Sequence, residues 1–98
     1  MSEAQSREVQ PSSTVSLANN HFRADHEGSA IIMSINSGKF FSFDEIAFEI
    51  WDAIESPVRV DALVADLAAK HNAPTDVVMP DVLMFLNKLS DNELINVE

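Results

Sequence analysis

The sequence predicts an α+β domain, winged helix-turn-helix-like, in which a three-stranded antiparallel sheet is followed by three helices. Three observations predict it: apolar residues alternate in the first half of the chain, they recur at helical spacing in the second half, and prolines or polar turns separate these segments. The 98 residues, 46% of them hydrophobic, are sufficient for one small core. Because residues 1–13 are polar and aperiodic, we expect a disordered tail there and a domain over residues 14–98.

The strands are predicted from apolar residues that recur at every second position. A first strand lies within Thr14–Ala24, in a register that the pattern leaves open. After a turn at Glu27-Gly28, the segment Ser29–Asn36 alternates clearly. The polar Asn36-Ser37-Gly38 then predicts a hairpin to Lys39–Phe43, which becomes the last strand of the sheet.

Two helices with one apolar face each are predicted next. The first begins near Asp44, is capped by Ser42 or Asp44, and ends at Ile54 before Pro57. Its buried stripe is predicted to comprise Ala47, Ile50, Trp51 and Ile54. The second covers Val60–Lys70, with a buried stripe that comprises Leu63, Val64, Leu67 and Ala68.

The third helix is predicted to run from a cap at Thr75 to about Ser90, and Pro80 either kinks it or delays its start to Met79. Its core stripe comprises Val78, Val82, Phe85 and Leu89. Three further apolar residues widen this stripe along one flank: Met79, Leu83 and Leu86. Such a band is typical of deeper burial, of a dimer contact or of a groove wall. A short closing strand is expected within Leu94–Val97.

Composition excludes several classes of partner. The net charge of −10 repels nucleic-acid phosphates and anionic lipids. In the predicted helix-turn-helix, the third helix offers Asn87 and Lys88 to DNA against Asp76 and Asp81, so we expect no nucleic acid partner. No apolar run approaches the roughly 20 residues that span a bilayer. With no signal-peptide pattern, we expect a cytoplasmic protein without a membrane partner.

The chemistry-bearing residues do not assemble into a catalytic pattern. Without cysteine there is neither a disulfide framework nor a thiolate metal site. His21, His26 and His71 lack the spacing of metal ligands, and exposed histidines are the expected arrangement. Two glycines cannot build a phosphate loop. We therefore expect no catalytic residue, no metal and no cofactor.

The strand Lys39–Phe43 is the feature that suggests a function. It closes the sheet and carries one charge and no proline, so its outer edge is free to pair with another strand. An open edge beside an apolar helix flank is the arrangement used for peptide binding by strand addition. The alternative is that the tail, the closing strand or a second copy covers this edge.

The order of motifs also resembles a known family. A glycine is followed by an aromatic pair, a helix with Ile-Trp, a proline with a Val-x-x-Leu helix, and a final apolar series. The residues that match this order are Gly38, Phe40, Phe41, Phe43, Asp44, Ile50, Trp51, Pro57, Val60, Leu63, Asp81, Val82, Phe85, Leu86, Leu89, Leu94 and Ile95. This series resembles the pyrroloquinoline quinone biosynthesis protein D family. More closely, it resembles the stand-alone recognition element of lasso-peptide biosynthesis, a class that serves ribosomally synthesised and post-translationally modified peptides (RiPPs).

The chain departs from the family pattern at three places. Phe43-Asp44 stands where Leu-Asn is usual, and Glu93 replaces a glycine. We expect Asn92 to adopt the left-handed conformation that the glycine would have supplied. The Pro-Glu-Gly stretch of the quinone branch is missing, which favours the lasso-peptide branch.

The resemblance implies a non-catalytic protein, a peptide chaperone that captures the leader segment of a precursor peptide for a partner protease and cyclase. The leader would pair with Lys39–Phe43 and place side chains against the third helix. The peptide-binding residues implied are Lys39, Phe40, Phe41, Ser42, Phe43, Val78, Met79, Val82, Leu83 and Leu86, with Asp76 and Asp81 as an acidic rim. The alternatives are a chaperone of another modified-peptide pathway, including pyrroloquinoline quinone synthesis, and a self-associating structural domain. A monomer or a weak dimer fits either.

Overall fold

The computed structural model describes residues 8–26 and 29–98, and it confirms the α+β class. The predicted turn at Glu27-Gly28 lies outside these residues. The elements, in chain order, are β1 Thr14–Leu17, β2 His21–His26, β3 Ser29–Ser34, β4 Phe40–Phe43, α1 Glu45–Ala53, β5 Val58–Arg59, α2 Val60–Lys70, α3 Thr75–Asp91 and β6 Ile95–Val97.

The strands form two small antiparallel sheets. The sheet β2-β3-β4 precedes the helices as predicted, and a second sheet, β5-β1-β6, is built from short pieces. The region in which one strand was expected therefore holds two, β1 and β2, in different sheets. The polar Asn19 and Asn20 separate them, and the backbone changes partner there: the Ala18 N–H donates to the Leu94 carbonyl, whereas the Asn20 carbonyl accepts from Ile35.

Residues 9–13 pack on the helices, so the predicted tail is too long. Val9 is 2% exposed, and its backbone N–H donates to Asn87 Oδ1 over 2.8 Å. The carbonyl of Ser13 accepts from the N–H of Val60, and that of Pro11 from Asp61. Residues 1–7 lie outside the described part of the chain, and a tail there stays a prediction.

The core lies between the sheet β2-β3-β4 and the helices. Asp44 caps α1 by accepting from the Ala47 N–H, as one of the two expected caps. Trp51 is 1% exposed and contacts Phe43 on β4, with ring centroids 5.4 Å apart. Trp51 also contacts the His21 ring in a T-shaped arrangement with ring centroids 4.9 Å apart, and His21 is half-buried rather than exposed as predicted.

Two predictions about α3 and its end are wrong. The helix begins at Thr75 itself, with Pro74 at the capping position and no side-chain cap, and it runs for 17 residues with Pro80 inside. After the helix, Asn92 has a φ of −100° and Glu93 has a φ of 61°. The left-handed residue is therefore Glu93, at the position where the family has glycine.

Candidate functional site

The outer edge of β4 is unpaired within residues 8–26 and 29–98. β4 pairs with β3 on its inner side, with Phe43 opposite Ala30 and Phe40 opposite Met33. The closing strand β6 pairs with β1 instead, and residues 9–13 lie against α2 and α3. The alternative that the closing strand or this part of the N-terminal segment covers the edge of β4 is therefore wrong.

The register decides which backbone groups point out of the sheet. The Ser34 N–H donates to the Lys39 carbonyl over 2.9 Å. Because hydrogen-bonded pairs alternate along an antiparallel ladder, Phe41 and Phe43 also direct their backbone groups toward β3. Phe40 and Ser42 therefore present their N–H and carbonyl groups at the open edge.

A groove runs between β4 and α3, and we call it the β4–α3 groove. Phe43 meets Phe85 of α3 at its base, with centroids 5.3 Å apart and nearly perpendicular rings. The groove encloses about 300 Å³ and is lined by Phe40, Phe41, Ser42, Phe43, Asp44, Ala47, Phe85, Lys88 and Leu89. Aromatic rings and the open backbone edge thus share one cleft.

A larger apolar cavity, the α1–α3 pocket, continues this groove and shares Asp44, Ala47 and Phe85 with it. It encloses about 450 Å³ and is lined further by Ile46, Ile50, Leu67, His71, Ala73, Val77, Val78, Asp81 and Val82. Its mouth is apolar as well, because Ile46 is 47% and Val77 58% exposed. A volume of this size accommodates one bulky apolar side chain.

The structure divides the predicted site residues into two groups. Phe40 to Phe43, Val78, Val82 and the rim residue Asp81 line the groove or the pocket, although Val82 is 2% exposed and belongs to the floor. Five others are absent from this lining: Lys39, which precedes β4 and lies outside the strand, and Asp76, Met79, Leu83 and Leu86. Leu86 is fully buried in the core, so it offers no surface to a peptide.

Met79 and Leu83 lie on the opposite flank of α3. Each helical residue turns by about 100°, which puts Leu83 and Asn87 on one side and Asp81 and Phe85 on the other. The Asn87 amide donates to the Leu83 carbonyl and accepts from the Val9 N–H. The flank predicted to be a groove wall is therefore the one that the N-terminal segment adjoins.

The groove-facing flank had a signal in the sequence that went unused. Val77, an apolar residue off the core stripe, is 58% exposed and lines the α1–α3 pocket, whereas Met84, which is 71% exposed, lines neither cavity. The helical pattern predicts Phe85 for the core stripe and gives Lys88 no part in the site, yet both line the groove. Asp76 lies in the first turn of α3 and is exposed, but it does not line the pocket.

An ion cluster joins α1 to α2 beside the pocket. Glu49 accepts from Lys70 Nζ and from His71 Nε2, the latter over 2.8 Å. These hydrogen bonds from Lys70 and His71 hold the pKa of Glu49 below its ordinary value of 4.5. Because His71 also lines the pocket, the cluster fixes one wall of it.

The described residues contain no group of three or more acidic or histidine side chains placed to hold a metal ion. Within the same residues, none of the helices has the length and apolar character to cross a membrane.

Comparison with known proteins identifies the family. Residues 29–95 match the profile of the family described as Coenzyme PQQ synthesis protein D (PqqD). The chain belongs to the PqqD family. The match begins at β3 and ends in β6, so it includes β4, α3 and both cavities. None of the curated proteins compared matches the chain.

The fold of this PqqD-family chain is similar to a solved structure titled "TbiB1 in Complex with the TbiA(beta) Leader Peptide". The TM-score is 0.73, the sequences are 21% identical, and the alignment covers 83% of this chain and 94% of TbiB1. The two proteins share the fold over nearly the whole of TbiB1.

Proposed function

We propose that this protein is a non-catalytic RiPP recognition element that binds the leader segment of a precursor peptide by strand addition to β4. It would then deliver the peptide to a partner protease and cyclase in lasso-peptide biosynthesis. The observation that carries the proposal is the unpaired edge of β4, which lies beside an aromatic-lined groove and an apolar pocket.

Strand addition accounts for both affinity and sequence choice. Phe40 and Ser42 present N–H and carbonyl groups that a guest strand satisfies, and each such hydrogen bond contributes about 1 kcal/mol net. Side chains alternate along the guest, so every second one faces α3. One inward-facing apolar residue would fill the α1–α3 pocket, and this contact would distinguish one leader from another.

Two comparisons support a peptide-binding role. The family takes its description from the synthesis of coenzyme PQQ, and the structural neighbour TbiB1 is in complex with a leader peptide. Assignment to the lasso-peptide branch is supported by the resemblance of the sequence motifs and by the missing Pro-Glu-Gly stretch. The cytoplasm is the compartment in which we expect the protein to meet a newly made precursor.

The proposal is tested with a fluorescein-labelled leader from the small precursor encoded beside this gene, titrated by fluorescence anisotropy. Ser42→Pro removes an outward N–H without touching the bonds to β3. A guest carbonyl left without its donor costs about 2 kcal/mol, so affinity should fall about 30-fold.

Ser42→Ala is the matched control, because it keeps the N–H and changes the same side chain; it should bind like the wild type. Circular dichroism checks that both variants are folded. Equal affinity of a folded Ser42→Pro variant and the wild type would contradict strand addition at β4.

The family description also favours a second candidate, a chaperone of another modified-peptide pathway such as pyrroloquinoline quinone synthesis. Neighbouring genes for a transglutaminase-like protease and an asparagine-synthetase-like cyclase would indicate a lasso peptide, whereas a radical enzyme would indicate the quinone route. A self-associating domain would instead pair two β4 edges. Size-exclusion chromatography with and without leader separates that case, since the leader would dissociate such a dimer.

A further inference from the structure

The basic residues of the described chain fall into two groups. Five of the six Lys and Arg residues lie in the described part: Arg23, Lys39, Arg59, Lys70 and Lys88. Arg23 pairs with two aspartates, and Arg59 and Lys70 each pair with one carboxylate. Lys39 and Lys88 form no ion pair within residues 8–26 and 29–98, although the chain carries 16 acidic residues.

Both unpaired lysines lie at the same end of the β4–α3 groove. Lys88 lines the groove together with Phe40, and Lys39 immediately precedes β4. Two acidic residues follow at the end of α3, Asp91 and Glu93, but neither is within ion-pair distance of these lysines. Unpaired lysines in a protein of net charge −10 can form ion pairs with a carboxylate of a bound peptide.

The opposite end of the site is acidic. Asp44 and Asp81 line the α1–α3 pocket, and no Lys or Arg of the described chain lines it. His71 lines it as well, but its Nε2 is bonded to Glu49. The Asp44 carboxylate accepts the Ala47 N–H at the start of α1, and Asp81 forms no ion pair among the described residues.

We propose that this charge separation sets the orientation of the bound segment: a basic guest residue lies at Asp44 and Asp81, and an acidic one at Lys39 and Lys88. The inference rests on the strand addition proposed above. Every strand pair in the described chain is antiparallel. A peptide that pairs with β4 in the same way has its N-terminal end beside Asp44. Its basic residue therefore precedes its acidic residue.

The geometry of a strand also gives the spacing. Inward-facing residues recur at every second position, and β4 spans the distance between the two charged ends. The two guest charges are therefore about four residues apart, with an apolar residue between them that faces Phe85. The reversed order places lysine against lysine and carboxylate against aspartate, which costs affinity and slows association.

Two synthetic peptides of identical composition test the inference. Each alternates threonine with three inward-facing residues, in the order Lys, Leu, Glu in one peptide and Glu, Leu, Lys in the other. Binding is measured by NMR from changes in the backbone amide chemical shifts of the isotopically labelled full chain. This measurement detects binding with dissociation constants in the millimolar range. Two exposed ion pairs predict that the basic-first peptide binds about fivefold more tightly.

The double variant Asp81→Lys with Lys88→Glu keeps the net charge and should reverse the preference. In about 1 M NaCl, where the Debye length is about 3 Å, the preference should disappear while binding persists. Equal binding of the two peptides at the amides of Phe40 and Ser42 would overturn the charge order and leave strand addition standing. Absence of shifts at β4 with either peptide would overturn both proposals.

Discussion

The two flanks of α3 are both apolar, but residues 8–26 and 29–98 cover one of them and leave the other open. On the covered flank, the Val9 N–H donates to Asn87, one helical turn beyond Leu83. On the open flank, Phe85 lines the β4–α3 groove, and Val77 lines the α1–α3 pocket that continues it. The comparison teaches that apolar character alone does not mark a binding face. Contacts with the rest of the described chain decide which apolar face stays accessible.

The largest effect is expected on the covered flank. Val9→Ser removes a buried side chain and places a hydroxyl in the core, so the free energy of unfolding should fall by about 3 kcal/mol. Urea denaturation measures this loss. A change below about 0.5 kcal/mol, the usual range of surface substitutions, would mean that residues 9–13 are not packed on the helices.

Leu83→Ala tests the side of α3 on which the sequence placed the groove. Leu83 is half-buried against the core, so its truncation should lower the free energy of unfolding by about 1.5 kcal/mol. Leader affinity should stay within about twofold, because Leu83 lies away from the groove. A marked loss of affinity in anisotropy titrations would return the binding face to this flank.

Val77→Ser is the counterpart on the open flank. Val77 is 58% exposed, so stability should change by less than about 0.5 kcal/mol. A leader side chain in the pocket would lose about 1 kcal/mol of apolar contact, and affinity should fall about fivefold. Val9→Ser, measured in the same experiments, should lose stability and keep its leader affinity. Normal binding by Val77→Ser would remove the pocket from the site.

The smallest effect concerns the ion cluster that holds the pocket wall. Since the pKa of Glu49 is lowered on folding, its contribution to stability is present above the ordinary value of 4.5 and is lost as the pH falls through the lowered value. Glu49→Gln should therefore cost less than about 1 kcal/mol at pH 7 and flatten the pH dependence of unfolding below pH 4.5. An unchanged acid profile would show that the cluster does not support the fold.

The elements with strong periodicity were predictable from the sequence. The hairpin of β3 and β4, the cap at Asp44 and the buried faces of α1 and α2 all follow from local pattern. Family membership was predictable as well, because the motif order extends across most of the chain. The open edge of β4 followed from its place at the end of the sheet.

Which flank of α3 stays open was not predictable from the sequence, because a distant contact decides it. Val9 and Asn87 are separated by 78 positions, and residues 8–13 have no hydrophobic periodicity that would predict their packing. If these residues are a tail, the flank with Met79 and Leu83 is open, which is why the sequence predicts the groove wall there. The left-handed Glu93 was missed because side-chain preference points to asparagine, whereas the chain reversal into β6 decides the position.

Hydrogen exchange of the β4 amides tests strand addition most directly. Phe41 and Phe43 are bonded to β3 and should be protected with or without the leader, whereas Phe40 and Ser42 face outward. With the leader at saturation, the account predicts that the Phe40 and Ser42 amides slow markedly while Phe41 and Phe43 change little. If the leader binds and the Phe40 and Ser42 amides exchange as fast as before, the guest does not pair with β4.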